Sequence, residues 1–131
     1  MYKKIFFLSV VLLNLTFCKA QLPPGEYTTT NKKAISFFNA ALKDLDANKE
    51  EDAIANINKA IAKDSNFIEA YLFLAEYYEK NNNVDKAIEN YKTVLLINPT
   101  FDKKSFFSLA TLQFDKGDYE NAKSNYESYL K

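Results

Sequence analysis

The chain has 131 residues, 47% hydrophobic and 26% charged, with 17 basic and 17 acidic side chains in balance. That is enough apolar material for one small domain with a real core, and it argues against disorder over most of the length. Every basic residue is Lys and none is Arg; His and Trp are also absent. The guanidinium fork, the proton shuttle that titrates near neutrality and the favoured nitrogen ligand for metals are therefore missing. The first twenty residues hold three Lys and no acid, so a chain without them sets 14 Lys against 17 acids, a net charge of −3. A mildly acidic chain without Arg is a poor match for nucleic acid.

Residues 1–20 read as an export signal. Lys3 and Lys4 precede an apolar run from Ile5 to Phe17, broken only by Ser9, Asn14 and Thr16, and Cys18 and Ala20 stand three and one before Gln21. This is the order of a secretory leader, and the run is shorter than the roughly 20 apolar residues a membrane-spanning helix needs. Two fates follow. Leu15-Thr16-Phe17-Cys18 resembles the lipobox of bacterial lipoproteins, which implies lipidation at Cys18 and membrane contact through it. The bulky Phe17 stands where that motif has a small residue, and cleavage after Ala20 fits better. On that second reading the mature chain has no cysteine and no disulfide. Either way the expected location is the periplasm or the outer membrane, with secretion as a further outcome.

Residues 21–31, with Pro23, Pro24, Gly25 and three consecutive Thr, lack a helical period and read as an extended tether. From 32 to 131 the sequence repeats. Ala41, Ala75 and Ala110 recur at spacings of 34 and 35, and Ala53, Ala87 and Ala122 keep the same offset. So do Ile57, Tyr91 and Tyr126, then Phe37, Tyr71 and Phe106, then Ala60, Val94 and Tyr129. Within each unit the apolar residues have helical spacing, as in Ala87, Ile88, Tyr91, Val94 and Leu95, so each unit is two helices. Asn48, Asn82 and Gly117 fall between them, and these residue types best tolerate the left-handed conformation that ends a helix. Small residues where two helices cross let the backbones approach to about 8–10 Å, and the neighbouring aromatics Phe37, Tyr71, Tyr78, Tyr91, Phe106 and Tyr126 are expected to fill the space beside the crossing.

Tyr71, Leu74-Ala75, Tyr78, Asn82, Ala87, Tyr91, Val94 and Pro99 resemble the pattern of the tetratricopeptide-repeat family at its 34-residue spacing. The resemblance implies an all-α fold, a right-handed superhelical solenoid of three antiparallel helix hairpins at about 34–67, 68–102 and 103–131. The first unit departs from the pattern at Asp44 and Ser65, where Tyr and Pro are usual, and the third at Gln113. The resemblance also implies a concave groove lined by the first helix of each unit. Mapped onto this chain, its positions include Phe38, Asn39 and Leu42, then Glu69, Leu72, Phe73 and Glu76, then Lys104, Phe107, Thr111 and Phe114. Aromatics flanked by isolated charges suit an apolar or aromatic peptide segment. The alternative is that the tether itself covers Phe38, Leu42 and Leu45. One subfamily grips a C-terminal carboxylate through Lys and Asn in its first unit; here those positions are Phe38 and Leu42, so that clamp is not expected.

No catalytic, cofactor or metal site is expected. Asp44-Leu45-Asp46-Ala47-Asn48-Lys49 resembles the opening of a calcium loop, but Lys49 replaces the obligatory Gly and Ala55 the bidentate Glu. Glu50 with Glu51, and Glu76 with Glu79, read as solvated faces. With only Gly25 and Gly117, no glycine-rich phosphate loop exists.

Tyr126, Tyr129 and Leu130 end the sequence on an uncovered stacking face, where repeat arrays usually place a polar capping helix. Either the sequence belongs to a longer protein, or a second copy or a partner meets that face. An export signal, a tether and three such repeats resemble the N-terminal part of Gram-negative envelope proteins that continue into a β-propeller and an OmpA-like domain. The reading is an adaptor for a protein or peptide partner in the cell envelope, with a structural spacer or dimerisation segment as the alternative.

Overall fold

The computed structural model describes residues 26–131. The expected export signal, with Cys18, and residues 21–25 lie outside the described residues. Six helices follow an extended segment: α1 (Lys32–Asp46), α2 (Glu50–Lys63), α3 (Ile68–Lys80), α4 (Val84–Ile97), α5 (Lys104–Asp115) and α6 (Tyr119–Leu130). Among the described residues there is no strand, and no helix is long and apolar enough to cross a membrane. The helices pair as α1/α2, α3/α4 and α5/α6, and the hairpins stack through α2 on α3 and α4 on α5.

The turn inside each hairpin has the same physical cause. Asn48, Asn82 and Gly117 adopt φ of 57°, 56° and 81°, a region in which Asn and Gly carry the smallest steric penalty. Reversing the chain there lets the next amide reach back to an unsatisfied helix carbonyl. Lys49 N donates to Asp44 O at 2.8 Å, Asn83 N to Tyr78 O at 2.8 Å and Asp118 N to Gln113 O at 2.9 Å. The same helix-ending bond pattern therefore closes all three hairpins.

The turn between hairpins is likewise repeated. Asp64 and Asn98, 34 residues apart, are both extended, and each side chain accepts the amide two residues on, from Asn66 at 2.9 Å and Thr100 at 3.0 Å. Pro99 reinforces the extended conformation of Asn98. In the first unit Ser65 replaces that Pro, and the Asp64 side chain still accepts the Asn66 amide.

The alanines of the repeat mark the helix crossings. Ala41, Ala53, Ala60, Ala75, Ala87 and Ala110 have no exposed surface and Ala122 almost none. Two core clusters build around them, one under α1, α2 and α3 and one joining α3, α4 and α5. Of the aromatics expected beside the crossings, Tyr91 is buried, while Phe37, Tyr71, Tyr78, Phe106 and Tyr126 are half-buried.

The departures at Asp44 and Gln113 have a structural reason. Asn56 Nδ2 donates to Asp44 Oδ2 at 2.7 Å, and Asn125 Nδ2 donates to Gln113 Oε1 at 2.6 Å. Asn56, Asn90 and Asn125 form a further column of the repeat. In the first and third hairpins it ties the two helices together through the residue that replaces the usual Tyr. In the second, Tyr78 keeps its ring and Asn90 bonds back to Lys86 O at 2.8 Å. Asp44 and Asp46 lie within α1, which removes the calcium-loop geometry their spacing suggested.

Candidate partner-binding surfaces

The groove positions fall into three surroundings, one per hairpin. In the first, the extended segment ahead of α1 lies across them. The Tyr27 ring meets Phe38 at 5.4 Å and Phe67 at 5.7 Å, both edge-on, and its hydroxyl donates to Asn39 Oδ1 at 2.6 Å. Phe38 is also 5.0 Å from Phe67 and 6.4 Å from Phe73, so it is only 7% exposed. Thr28 donates its amide to Glu69 Oε1 at 2.7 Å and its hydroxyl to Glu69 Oε2. Glu69 is 9% exposed, and these two donors meet its carboxylate in place of water. Thr29 hydroxyl donates to Asp64, and Asn31 Nδ2 to Lys63 O at 2.9 Å, while Asn31 Oδ1 caps α1. Thr29 is the first cause of the lowered pKa of Asp64, with the Asn66 amide second. Burial, then the Glu69 charge, raises the Tyr27 phenol. Leu42 stays exposed and Leu45 half-buried, so the segment covers Phe38 and leaves Leu42 open.

In the second hairpin Leu72 and Phe73 are core residues. Glu76 beside them is half-buried, and its carboxyl is pushed up to about 7 by burial, then by Asp102 and Glu79, with Lys104 opposing. This corrects the expectation of a solvated acidic face. Glu79 accepts the Tyr91 hydroxyl at 2.5 Å. Burial, followed by that bond, drives the Tyr91 phenol far above its ordinary value, while Ser108 acts against the shift. Burial thus disfavours the charged form of Glu76 beside Asp102 and Lys104, while Glu50 and Glu51 remain exposed at the start of α2.

In the third hairpin the groove positions face α6. Phe107 meets Tyr126 at 5.6 Å and Tyr129 at 5.5 Å, and Phe114 meets Tyr119 at 5.2 Å. Thr111 Oγ1 donates to Phe107 O at 3.0 Å and shares a 3.1 Å hydrogen bond with the Tyr126 hydroxyl. Phe107 and Phe114 nevertheless remain 49% and 56% exposed. Tyr119 and Leu130 are exposed at the same end, and Lys104 is exposed at the start of α5. The ten candidate residues thus do not share one open surface. Phe38 and Glu69 lie under the chain's own segment, Leu42 is open beside it, Leu72 and Phe73 are in the core, Glu76 is half-buried near Asp102 and Lys104, Lys104 itself is exposed, and Phe107, Thr111 and Phe114 belong to the α5/α6 end. Sequence reasoning placed Asn39 in the groove and the 21–31 segment over it, but did not single out Tyr27 and Thr28 as the residues that make the contact. Three polar Thr after two Pro carry no period that announces a packed strap. Among the described residues no group of three or more His, Cys, Asp or Glu is placed to hold a metal.

A tetratricopeptide-repeat profile matches residues 44–109, half of the chain, and a second profile of that family matches residues 104–131. The chain belongs to the tetratricopeptide-repeat (TPR) family. Among solved structures, it is similar to the crystal structure of MamA, at 24% identity and a TM-score of 0.67, over 76% of this chain and 58% of MamA. A second MamA structure gives 24% identity and a TM-score of 0.65, over 77% and 55% of the two chains. The chain therefore spans a little over half the length of MamA. It is also similar to the second TPR of Spaghetti (RPAP3), solved bound to an HSP90 peptide of sequence SRMEEVD, at 23% identity and a TM-score of 0.65, over 76% of this chain and 92% of that one. The two TPR matches overlap at residues 104–109, so the family pattern is continuous from the end of α1 through α6.

Proposed function

We propose that this TPR chain is an exported, non-catalytic adaptor that docks an apolar or aromatic segment of a protein partner within a cell-envelope assembly, as a right-handed stack of three units. The observation that carries the reading is the half-exposed pair Phe107 and Phe114 at groove positions of the third hairpin, where Phe107 lies open although its counterparts Phe38 and Leu72 are buried. Aromatic anchors exposed on a rigid helical frame are the residues that dominate binding energy at protein interfaces. The charged leader at Lys3 and Lys4 and its apolar run support export. The peptide bound by the second TPR of Spaghetti supports a peptide-sized partner. Its acidic sequence is not the one expected here, because Phe38 and Leu42 offer no positive charge and Glu69 and Glu76 add acidic groups.

The experiment is recovery of partners from native envelope extract by the full chain, compared with the Phe107→Ser/Phe114→Ser double variant. Loss of a specific partner with an unchanged helical circular-dichroism signal is the expected outcome. Equal recovery by both proteins removes the α5 surface from the reading. A second reading, a spacer or dimerisation segment, draws on the exposed Leu130 and Tyr119 beside Tyr126 and Tyr129. It predicts concentration-dependent sedimentation that Tyr126→Ser/Leu130→Ser abolishes, whereas a monomer at all concentrations that still captures a partner excludes it.

A further inference from the structure

The segment ahead of α1 has two halves with different attachments. Thr29 and Asn31 bond to the turn between the first two hairpins, at Asp64 and at the carbonyl of Lys63. Tyr27 and Thr28 hydrogen-bond to groove positions, Asn39 on α1 and Glu69 on α3, and the Tyr27 ring also packs on Phe67 just ahead of α3. The first half caps α1 and is structural. The second half is an extended dipeptide seated in a slot with a ring-sized recess, a hydroxyl acceptor at its end and a buried carboxylate that takes one backbone and one side-chain donor.

Each element of the slot selects a chemistry. The edges and faces of Phe38 and Phe67 favour an aromatic ring over an aliphatic chain. The carboxylate of Glu69 demands a backbone N–H and a hydroxyl from the next residue, which excludes Pro and repels Asp or Glu. Tyr27 is only half-buried and Thr28 is exposed. They can therefore leave without uncovering the α1 cap at Asn31.

Resting on the TPR adaptor reading above, we infer that the Phe38, Phe67, Asn39 and Glu69 slot is a recognition subsite for an extended partner segment with an aromatic residue followed by Ser or Thr, and that Tyr27 and Thr28 occupy it in cis until such a segment displaces them. A tethered occupant competes at millimolar effective concentration, so the closed form weakens binding in trans by the fraction of time the slot is shut.

The test uses the full chain and a fluorescein-labelled hexapeptide of the sequence of residues 26–31, with fluorescence anisotropy as the readout. The Tyr27→Ala/Thr28→Ala variant is expected to bind the peptide roughly 10- to 100-fold more tightly than the unaltered chain. Adding Glu69→Gln, or replacing Tyr by Ala in the peptide, should reverse that gain. If the double variant loses helicity, Thr28→Ala alone decides the matter by the same comparison. Equal affinity for both chains, or no binding by a folded strap variant, overturns the inference. The Phe107→Ser/Phe114→Ser chain serves as the separating arm. If partner recovery depends on Phe107 while the hexapeptide binds no variant, the slot proposal falls and the adaptor reading stands; hexapeptide binding with no Phe107-dependent partner has the reverse meaning.

Discussion

The first and third hairpins repeat the same apolar pattern and end in opposite states. Phe38 and Phe107 hold one repeat position, yet Phe38 is 7% exposed and Phe107 is 49% exposed. The difference is in what lies against them. Phe38 is closed from one side by Phe73 of the next hairpin and from another by Tyr27 of the preceding segment. Phe107 meets Tyr126 and Tyr129 of its own hairpin and stays half open. In a stacked repeat each unit buries only the face its neighbour covers, so position in the array, rather than residue type, decides whether a groove aromatic is core or contact surface.

The largest effect that can break this contrast is on stability. Phe38→Ala should cost about 3–5 kcal/mol, as for a fully packed core Phe that leaves a cavity. Phe107→Ala should cost about 1 kcal/mol, because its ring already meets solvent over half its surface. Urea unfolding followed by circular dichroism measures both. Similar losses would mean that the end face is as closed as the first hairpin.

Much of the scaffold was legible in the sequence, for a physical reason. The period, the alanine crossings and the Asn48, Asn82 and Gly117 turns are local requirements of helix packing and backbone sterics, so they leave a residue-type signature at fixed spacing. The column Asn56, Asn90 and Asn125 was equally regular and went unread, because its meaning depends on the unusual partners Asp44 and Gln113 across the hairpin. The candidate site was legible only as a set of positions. Whether each position is open depends on neighbours distant in sequence, such as Tyr27 over Phe38 and Thr28 on Glu69, across 41 residues. No period encodes such a pairing.

A second repeat position sharpens the comparison from between the two ends. Leu42, Glu76 and Thr111 are equivalent, and of the three only Glu76, half-buried near Asp102 and Lys104, carries an ionisable group. Glu76 has its pKa raised from 4.5 to about 7. The folded state therefore holds this proton more tightly than the unfolded chain does. The stability it confers is complete below about 4.5 and is lost as pH rises through about 7. After allowance for its partial exposure, the loss should be about 1–2 kcal/mol. Glu76→Gln, which stays neutral, should flatten the pH dependence of the urea midpoint across that interval and raise the midpoint at pH 8. A profile identical to that of the unaltered chain would show that Glu76 is as hydrated as Glu50.

The smallest effect isolates the backbone from the packing that separates the two end hairpins. Gly117 has φ of +81°, and a Cβ added to it would meet nothing within 4 Å. Gly117→Ala therefore adds no steric contact with the rest of the protein, and its cost should be the left-handed conformation alone, about 1 kcal/mol. Asn48→Gly at the equivalent turn of the first hairpin relieves the same penalty but widens the unfolded ensemble, so the two terms oppose each other and the net change should stay within about 0.5 kcal/mol. Thermal unfolding of the two variants compares them directly. An unequal response of this kind, with both turns keeping the same carbonyl-to-amide closure, would place the turns outside the contrast and leave neighbour coverage as its cause; a Gly117→Ala loss as large as that of Phe38→Ala would show instead that the α5/α6 hairpin depends on its turn as much as the first hairpin depends on its core.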